Sequence, residues 1–406
     1  MKLDYNELDN LSKIYGDAFY LLDTNQFKNN FRELKDAFSK YYKNFNIAYS
    51  YKTNYIPRLC KIINELGGYA EVVSDMEAEI ALRLGVLPSK IILNGPYKNL
   101  QKTKELLFMG CTVNLDTYEE AEYVRRIARD NPDKILNVGV RCNFDVGDGV
   151  VSRFGIDVDS DEFVRVFELI KSQKNLHLIN LQCHFAKRNV EFWPKRAEGM
   201  ADVAKKVAKI IGRVPERIDI GGGLYGKMKD SLKKQFSFDI PNYSDYAVAA
   251  AKVFAERFKD EQPELLIEPG SALVGDCMQF VGKIESIKTV RGKTFVTMLG
   301  SQKNISMSGV NPPIEIIKSK KSGNHYSNAD IVGYTCIEGD VIFRGYSGSL
   351  SVGDFVVISN CGSYSVVMKP PFILPNFPVL DTGGEKGIEL VKHGECVDEL
   401  FHTFVF

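Results

Sequence analysis

Net charge is the first thing this sequence lacks: 52 lysines and arginines stand against 52 aspartates and glutamates. No overall field therefore draws in nucleic acid, an anionic membrane or a polyanionic partner. Long apolar runs are missing as well. No uncharged stretch is long enough to span a bilayer, and the first twenty residues, MKLDYNELDNLSKIYGDAFY, carry acids and no continuous apolar core, which argues against a secretory signal. The 8 cysteines are scattered without CxxC or Cys/His clustering, so neither a disulfide framework nor a zinc site is indicated and no metal is expected. The expectation that remains is a soluble, cytoplasmic enzyme with reduced thiols and a small-molecule substrate.

What is present is length and rhythm. The chain has 406 residues, enough for a barrel of about 250 residues and a smaller second domain. From about residue 20 to about 270, short apolar runs alternate with longer amphipathic ones, the sign of strands followed by crossover helices. NFNIAYSYK, GYAEVVS, KIILNG, CTVNLD, ILNVGVRC, LINLQCHF, RIDIGGG and LLIEP read as strands, with helices expected over 56–66, 75–84, 100–109, 118–130, 161–174, 194–211 and 243–258. Eight such units predict a (β/α)8 barrel, an α/β fold whose chemistry sits at the C-terminal ends of the strands. Lys52, Ser74, Asn94, Asp116, Arg141, His184, the glycines 221–223 and Glu268 all fall at those ends. After Ser271 the pattern changes to short alternating strands, CMQFVGKIESIKTV, KTFVTML, DVIFRGY and FVVISN, divided by Gly, Asn and Ser turns. The expected division is a barrel over 25–272, with 1–24 and 273–406 forming a β-sandwich or barrel domain. The polar stretch 318–328, KSKKSGNHYSN, reads as a mobile loop.

Several residues suggest chemistry by themselves. An amine at a strand end in a barrel mouth, such as Lys52, can lose its charge through desolvation and become nucleophilic toward an aldehyde. In DIGGGL, Gly221, Gly222 and Gly223 carry no side chains, so their backbone N–H groups can approach a phosphate dianion. The spacing is not the G-x-G-x-x-G of dinucleotide sites. Ser74 or Asp75 would serve as an ordinary helix N-cap, and free cysteines such as Cys336 are commonly small buried hydrophobes.

Taken in order, these motifs resemble the fold-type-III pyridoxal-phosphate decarboxylases, the group containing the diaminopimelate, ornithine and arginine decarboxylases, over nearly the whole length. AYSYKTN resembles the Y-x-x-K-x-N strand end, which makes Lys52 the Schiff-base lysine of pyridoxal 5'-phosphate. In GGYAEVVSDMEAEIALRLG, Glu71 stands where an aspartate is usual and Glu77 takes the family's glutamate position. SRFGID places Arg153 in an S-[KR]-F-G-[IV] signature, and QCHF places His184 where the family stacks a histidine on the cofactor ring. Ala186 and Lys187 follow where glycine and serine are usual, so Lys187 is the expected substitute contact for the phosphate. EPG, with Glu268 and Gly270, resembles E-P-G-R; its carboxylate would keep the pyridine nitrogen protonated. That feature favours decarboxylation over the racemisation of related alanine racemases, where an arginine faces the nitrogen. GYTCIEGD implies that Cys336 protonates the carbanion left by carbon dioxide, reaching across a homodimer interface. VGDFVVISNCGSYSVVM places Tyr364 near cofactor or substrate, again from the partner subunit.

The departures bear on substrate. Ser271 replaces the arginine of E-P-G-R, SGVNPPI replaces an R-P-x-x-Y segment, and Ile337 replaces the acid after the cysteine, with Glu338 one position on. Diaminopimelate would lose its polar partners, and unpaired buried polar groups are heavily penalised. The expected substrate tail is neutral, bulky or anionic: an acylated diamino acid or a citrate conjugate of the siderophore-making branch, with Lys187 and Arg188 as contacts for an anionic tail. A diaminopimelate, ornithine or lysine-type decarboxylase and an amino-acid racemase are the alternatives.

Overall fold

Eight parallel strands wind in chain order around a closed ring in the computed structural model, which describes residues 2–259, 262–307, 309–319 and 323–405. The strands are Phe45–Ser50, Tyr69–Val72, Ile91–Leu93, Thr112–Leu115, Leu136–Asn143, Leu176–Gln182, Arg217–Asp219 and Glu264–Ile267. Each pairs in parallel with the next, and Leu265 to Ile267 pair back onto Phe45 to Ile47 to close the ring. All eight are the runs expected from sequence. The helices between them start where the side chains say they should. Ser74, Asn99, Thr117, Ser160 and Asn242 each cap a helix by accepting a backbone N–H of its first turn, which satisfies donors that the helix leaves unpaired. The helix expected over 161–174 ends at Lys171.

The chain divides into two compact units: residues 30–225 with 241–272, and residues 1–29 with 226–240 and 273–406. The first contains the barrel. The second is built on a sheet in which Ala18–Leu22 lies antiparallel to Met278–Val290 and parallel to Val379–Asp381. Phe19, Leu21, Val281, Phe355, Val357 and Leu380 form its buried core with Leu8 and Leu11 of the helix Tyr5–Tyr15. The loop expected over 318–328 is corrected in part. Lys320, Lys321 and Ser322 lie outside the described residues, but Asn324–Val332 is a strand whose first residues pair with Ser349 and Leu350. Its first five side chains are mostly exposed, so polarity here marks a solvent-facing strand and gave no apolar alternation to read.

The barrel interior is unusual in carrying amides as well as aliphatic side chains. Asn114 donates to Asn94 Oδ1 at 2.6 Å and Asn180 donates to Asn114 Oδ1 at 3.1 Å. Room for this ladder is made by Gly139, where a Cβ would press into the Asn114 side-chain oxygen and lie 2.9 Å from the Asn180 carbonyl. Gly139→Ala should therefore destabilise the protein by about 1–3 kcal/mol, as overpacked cores do. Thermal melting checks this, and an unchanged Tm would mean that the ladder gives way freely.

Candidate active site

The first barrel strand ends in a single 3-10 turn, Tyr51–Thr53, that carries Lys52. Its Nζ lies 2.6 Å from Glu71 Oε2 and 2.7 Å from Ser50 Oγ, and Ser50 Oγ in turn donates to Glu71. Glu71 comes from the second strand and is almost fully buried. The turn is pinned from the eighth strand, where the Pro269 carbonyl accepts the Ser50 N–H and a Cβ on Gly270 would collide with the Thr53 side chain. Gly270 is thus explained by close approach.

Glu268, 4% exposed, is the other acid of the cluster. Asn94 uses both protons of its amide here, donating to Glu268 Oε1 at 2.7 Å and to Glu71 Oε1 at 3.0 Å, while Gln182 donates to Glu268 Oε1 at 3.1 Å. Burial alone would raise the Glu268 carboxyl, but the charges of Lys52 and Arg141, with the amide donors Asn94 and Gln182 beside it, outweigh burial and hold the group below the usual carboxylate range. Asp219 responds oppositely, pushed well above its ordinary value by burial and then by Glu268. Asp219 therefore carries the proton and Glu268 the charge.

His184 Nδ1 lies 3.1 Å from the Gly222 N–H and 3.5 Å from Glu268 Oε2. Accepting from Gly222 requires a bare Nδ1, and donating to Glu268 requires a protonated one. The shorter contact and a pKa lowered chiefly by burial favour the neutral ring with Nδ1 as acceptor.

Two expectations need correction. Lys52 is not a desolvated neutral amine: burial works in that direction, but Glu71 and Glu268 outweigh it and raise its pKa above the ordinary lysine value. The three glycines do not offer three N–H groups either, since that of Gly221 goes to Asp219 Oδ1 at 2.8 Å and that of Gly222 to His184. Gly221 and Gly222 are required by packing instead, because a Cβ on them would strike the Cys183 and Glu268 carbonyls respectively. The Lys187 side chain is exposed, and its carbonyl accepts from Arg196 at 3.4 Å.

The other predicted residues separate. Arg153 is exposed over the Phe154 ring at 4.1 Å and makes no contact with the Lys52 cluster among the described residues. Arg188 lies over Tyr225 at 5.8 Å. Ser74 proves to be a helix cap. Cys336, Ile337, Glu338 and Tyr364 belong to the second unit. There Asp340 accepts from Thr335 Oγ1 at 2.6 Å and from the Gln302 N–H at 2.7 Å, and its own N–H closes onto the Ile337 carbonyl. The resulting tight turn leaves Cys336, Ile337 and Glu338 exposed. Tyr364 holds φ 63°, a left-handed conformation uncommon outside glycine. Ser308, which opens SGVNPPI, lies outside the described residues. The sequence reading missed Ser50, Gln182, Asp219 and Arg196. A polar residue closing the C-terminal end of a barrel strand was the available signal for the first three.

This arrangement defines an amine-bearing barrel site with two buried carboxylates, Glu71 paired to the amine and Glu268 beyond it, and its residues fit a pyridine-aldehyde cofactor: Lys52 to bond the aldehyde, ionised Glu268 for a ring nitrogen, His184 beside it. The comparisons give the family. Residues 25–275 match the model of the "Pyridoxal-dependent decarboxylase, pyridoxal binding domain", and the chain belongs to that family of pyridoxal-phosphate-dependent carboxy-lyases. It is 24% identical to the diaminopimelate decarboxylase of Methanocaldococcus jannaschii over 96% of this chain and 91% of that protein. It is 27% identical to a probable chloroplastic diaminopimelate decarboxylase of Oryza sativa, covering 95% and 79%. Among solved structures, the M. jannaschii diaminopimelate decarboxylase superposes with a TM-score of 0.87 at 23% identity, over 98% and 94% of the two chains. The arginine decarboxylase of Paramecium bursaria Chlorella virus gives 0.74 at 18% identity, covering 93% and 100%.

Glu77, 4% exposed, accepts the Val73 N–H at 2.8 Å, yet burial raises its carboxyl to about 7. A folded-state value above the unfolded one favours the protonated form, so this group's contribution is lost as pH rises from 4.5 toward about 7. Glu77→Gln should gain stability relative to the parent across that window, by about 3 kcal/mol at most. Urea melts at pH 5 and pH 8 check the sign, and a difference independent of pH would contradict it.

Proposed function

We propose that this carboxy-lyase removes the α-carboxylate of a diamino acid whose far end is acylated or joined to citrate. The observation that carries the reading is the pair Ser271 and Ile337, standing where the family resemblance places an arginine and an acid. Ile337 is 46% exposed at the tip of its turn, so an apolar side chain is presented where a distal ammonium would need a carboxylate. The siderophore-making branch uses such conjugates. A second reading, decarboxylation of free diaminopimelate or of a basic amino acid, is favoured by the relatives: one solved diaminopimelate decarboxylase is a complex with L-lysine, and another structural neighbour is a lysine decarboxylase from Selenomonas ruminantium.

In this proposal the cofactor barrel is residues 25–272, and the flanking segments 1–24 and 273–406 form the second domain. The enzyme works in the cytoplasm as a homodimer whose sites are completed by Cys336 and Tyr364 of the neighbouring subunit. Bound pyridoxal phosphate supplies the electron sink for the pair left on the α-carbon as carbon dioxide departs. Glu268 holds negative charge against the ring nitrogen. Glu71 and Ser50 accept hydrogen bonds from Lys52, and the Glu71 carboxylate is placed to take its proton, directly or relayed through the Ser50 hydroxyl that donates to it. Cys336 delivers a proton to the α-carbon, and Tyr364 lines the site.

Carbon dioxide release measured on citrate-conjugated and acylated diamino acids against diaminopimelate, ornithine and lysine tests the substrate. Turnover of the conjugates alone supports the first reading, and turnover of free diaminopimelate or lysine alone overturns it. Loss of α-stereochemistry without carbon dioxide would make the enzyme a racemase. Lys52→Ala should abolish both carbon dioxide release and the visible absorbance of the bound cofactor; a variant that still fixed cofactor on borohydride treatment would refute the lysine's role. Cys336→Ala should keep the absorbance but slow amine release by about tenfold to a thousandfold, and normal turnover would remove Cys336 from the reaction.

A further inference from the structure

The helix Trp193–Ile211 contributes a buried guanidinium, that of Arg196, which makes no hydrogen bond to Lys52, Glu71 or Glu268. Arg196 is 0% exposed, and among the described residues no carboxylate pairs with it. Its Nε has no hydrogen-bond partner. Its other nitrogens serve backbone carbonyls: Nη1 donates to Gly222 at 2.7 Å and to Ile220 at 3.3 Å, and Nη2 to Lys187 at 3.4 Å. The ring centres of Trp193 and Phe185 lie 4.5 Å and 5.5 Å from its central carbon. A buried cation without a counter-ion is costly, so this one calls for an explanation.

The carbonyls it holds supply one. In a planar trans peptide the carbonyl points away from the N–H of the following residue, and no peptide bond here is cis. Fixing the Gly222 and Lys187 carbonyls on the Arg196 side therefore turns the Gly223 and Arg188 N–H groups to the opposite side. Neither N–H has an acceptor among the described residues. The two peptides are neighbours: a Cβ on Gly223 would lie 3.8 Å from the Lys187 carbonyl and 3.9 Å from Arg188 Cγ. Gly223 holds φ 89°, a backbone shape that favours glycine. Tyr246 braces the same two loops, donating to the Arg188 carbonyl at 2.7 Å and accepting the Tyr225 N–H at 3.2 Å.

We propose that Arg196 is a positioning residue for the cofactor's phosphate: from behind the two loops it aims the Gly223 and Arg188 N–H groups at one anion and supplies the charge that balances it. It would do so in place of the serine that this chain lacks after His184. Arg196 would act only through the Gly223 and Arg188 N–H groups, so its effect on binding would fall chiefly on the phosphate end of the cofactor.

That confinement gives the test. The full-length chain, freed of cofactor, is titrated by visible absorbance with pyridoxal phosphate and with pyridoxal, which forms the same bond to Lys52 but has no phosphate. Arg196→Met should weaken pyridoxal phosphate by about tenfold to a hundredfold, the range expected for hydrogen bonds to a charged group, and change pyridoxal by less than about twofold. Inorganic phosphate should raise the Tm of the parent and leave that of the variant unmoved. Arg196→Lys keeps the charge without the fork and should lie between the two; it decides the matter if the methionine variant does not fold. Equal weakening of both aldehydes in a folded variant, or parent-like protection by inorganic phosphate, overturns the proposal and leaves Arg196 a structural clamp. Failure of both aldehydes to bind the parent would instead strike at Lys52.

Discussion

A carboxylate inside a protein stays ionised only where donors and positive charge surround it, and the barrel is arranged around meeting that condition at Glu268. Asn94 and Gln182 reach it from the third and sixth strands. Lys52 and Arg141 lower its pKa through space. Asp219 gives way by keeping its proton, since two adjacent carboxylates in low dielectric cannot both ionise. Even the interior ladder of Asn114 and Asn180 belongs here, because it fixes the Asn94 amide whose two protons divide between Glu268 and Glu71. Removing polar groups piecemeal would leave others unsatisfied, which is why such networks are retained whole or not at all.

The barrel was legible because its signals are local. A buried parallel strand is a short apolar run, a crossover helix begins at a Ser, Thr or Asn cap, and both can be read residue by residue. The second unit was less so. Ala18–Leu22 pairs with residues more than 250 positions away, and Asn324–Val332 shows solvent-facing polar side chains along its first half. Nothing in the neighbouring sequence announces either strand.

Within the site the types of residue were readable and their electrostatic states were not. Lys52, Glu71, His184 and Glu268 do come together, as the motifs implied. But whether an amine at a strand end is neutral depends on which acids lie across the barrel, and here two of them reverse the effect of burial. The glycines make the same point about geometry. Their spacing suggested three free N–H groups, whereas the neighbouring strand ends claim two of them through Asp219 and His184. Arg196 went unnoticed because an arginine on an amphipathic helix reads as solvated surface, and only the fold shows that it faces inward.

These states constrain the chemistry that the site can start from. Lys52 rests as an ammonium, and an ammonium has no lone pair with which to attack an aldehyde. Some group must take its proton, and the base in direct contact is Glu71, with Ser50 bridging the two. The aspartate usual in the family resemblance is one methylene shorter, so the reach from the second strand to Nζ depends on the glutamate found here. Asn94 couples the Glu71 carboxyl to Glu268. A charge lost at one acid is therefore felt at the other, which ties the state of the lysine to that of the carboxylate assigned to the ring nitrogen.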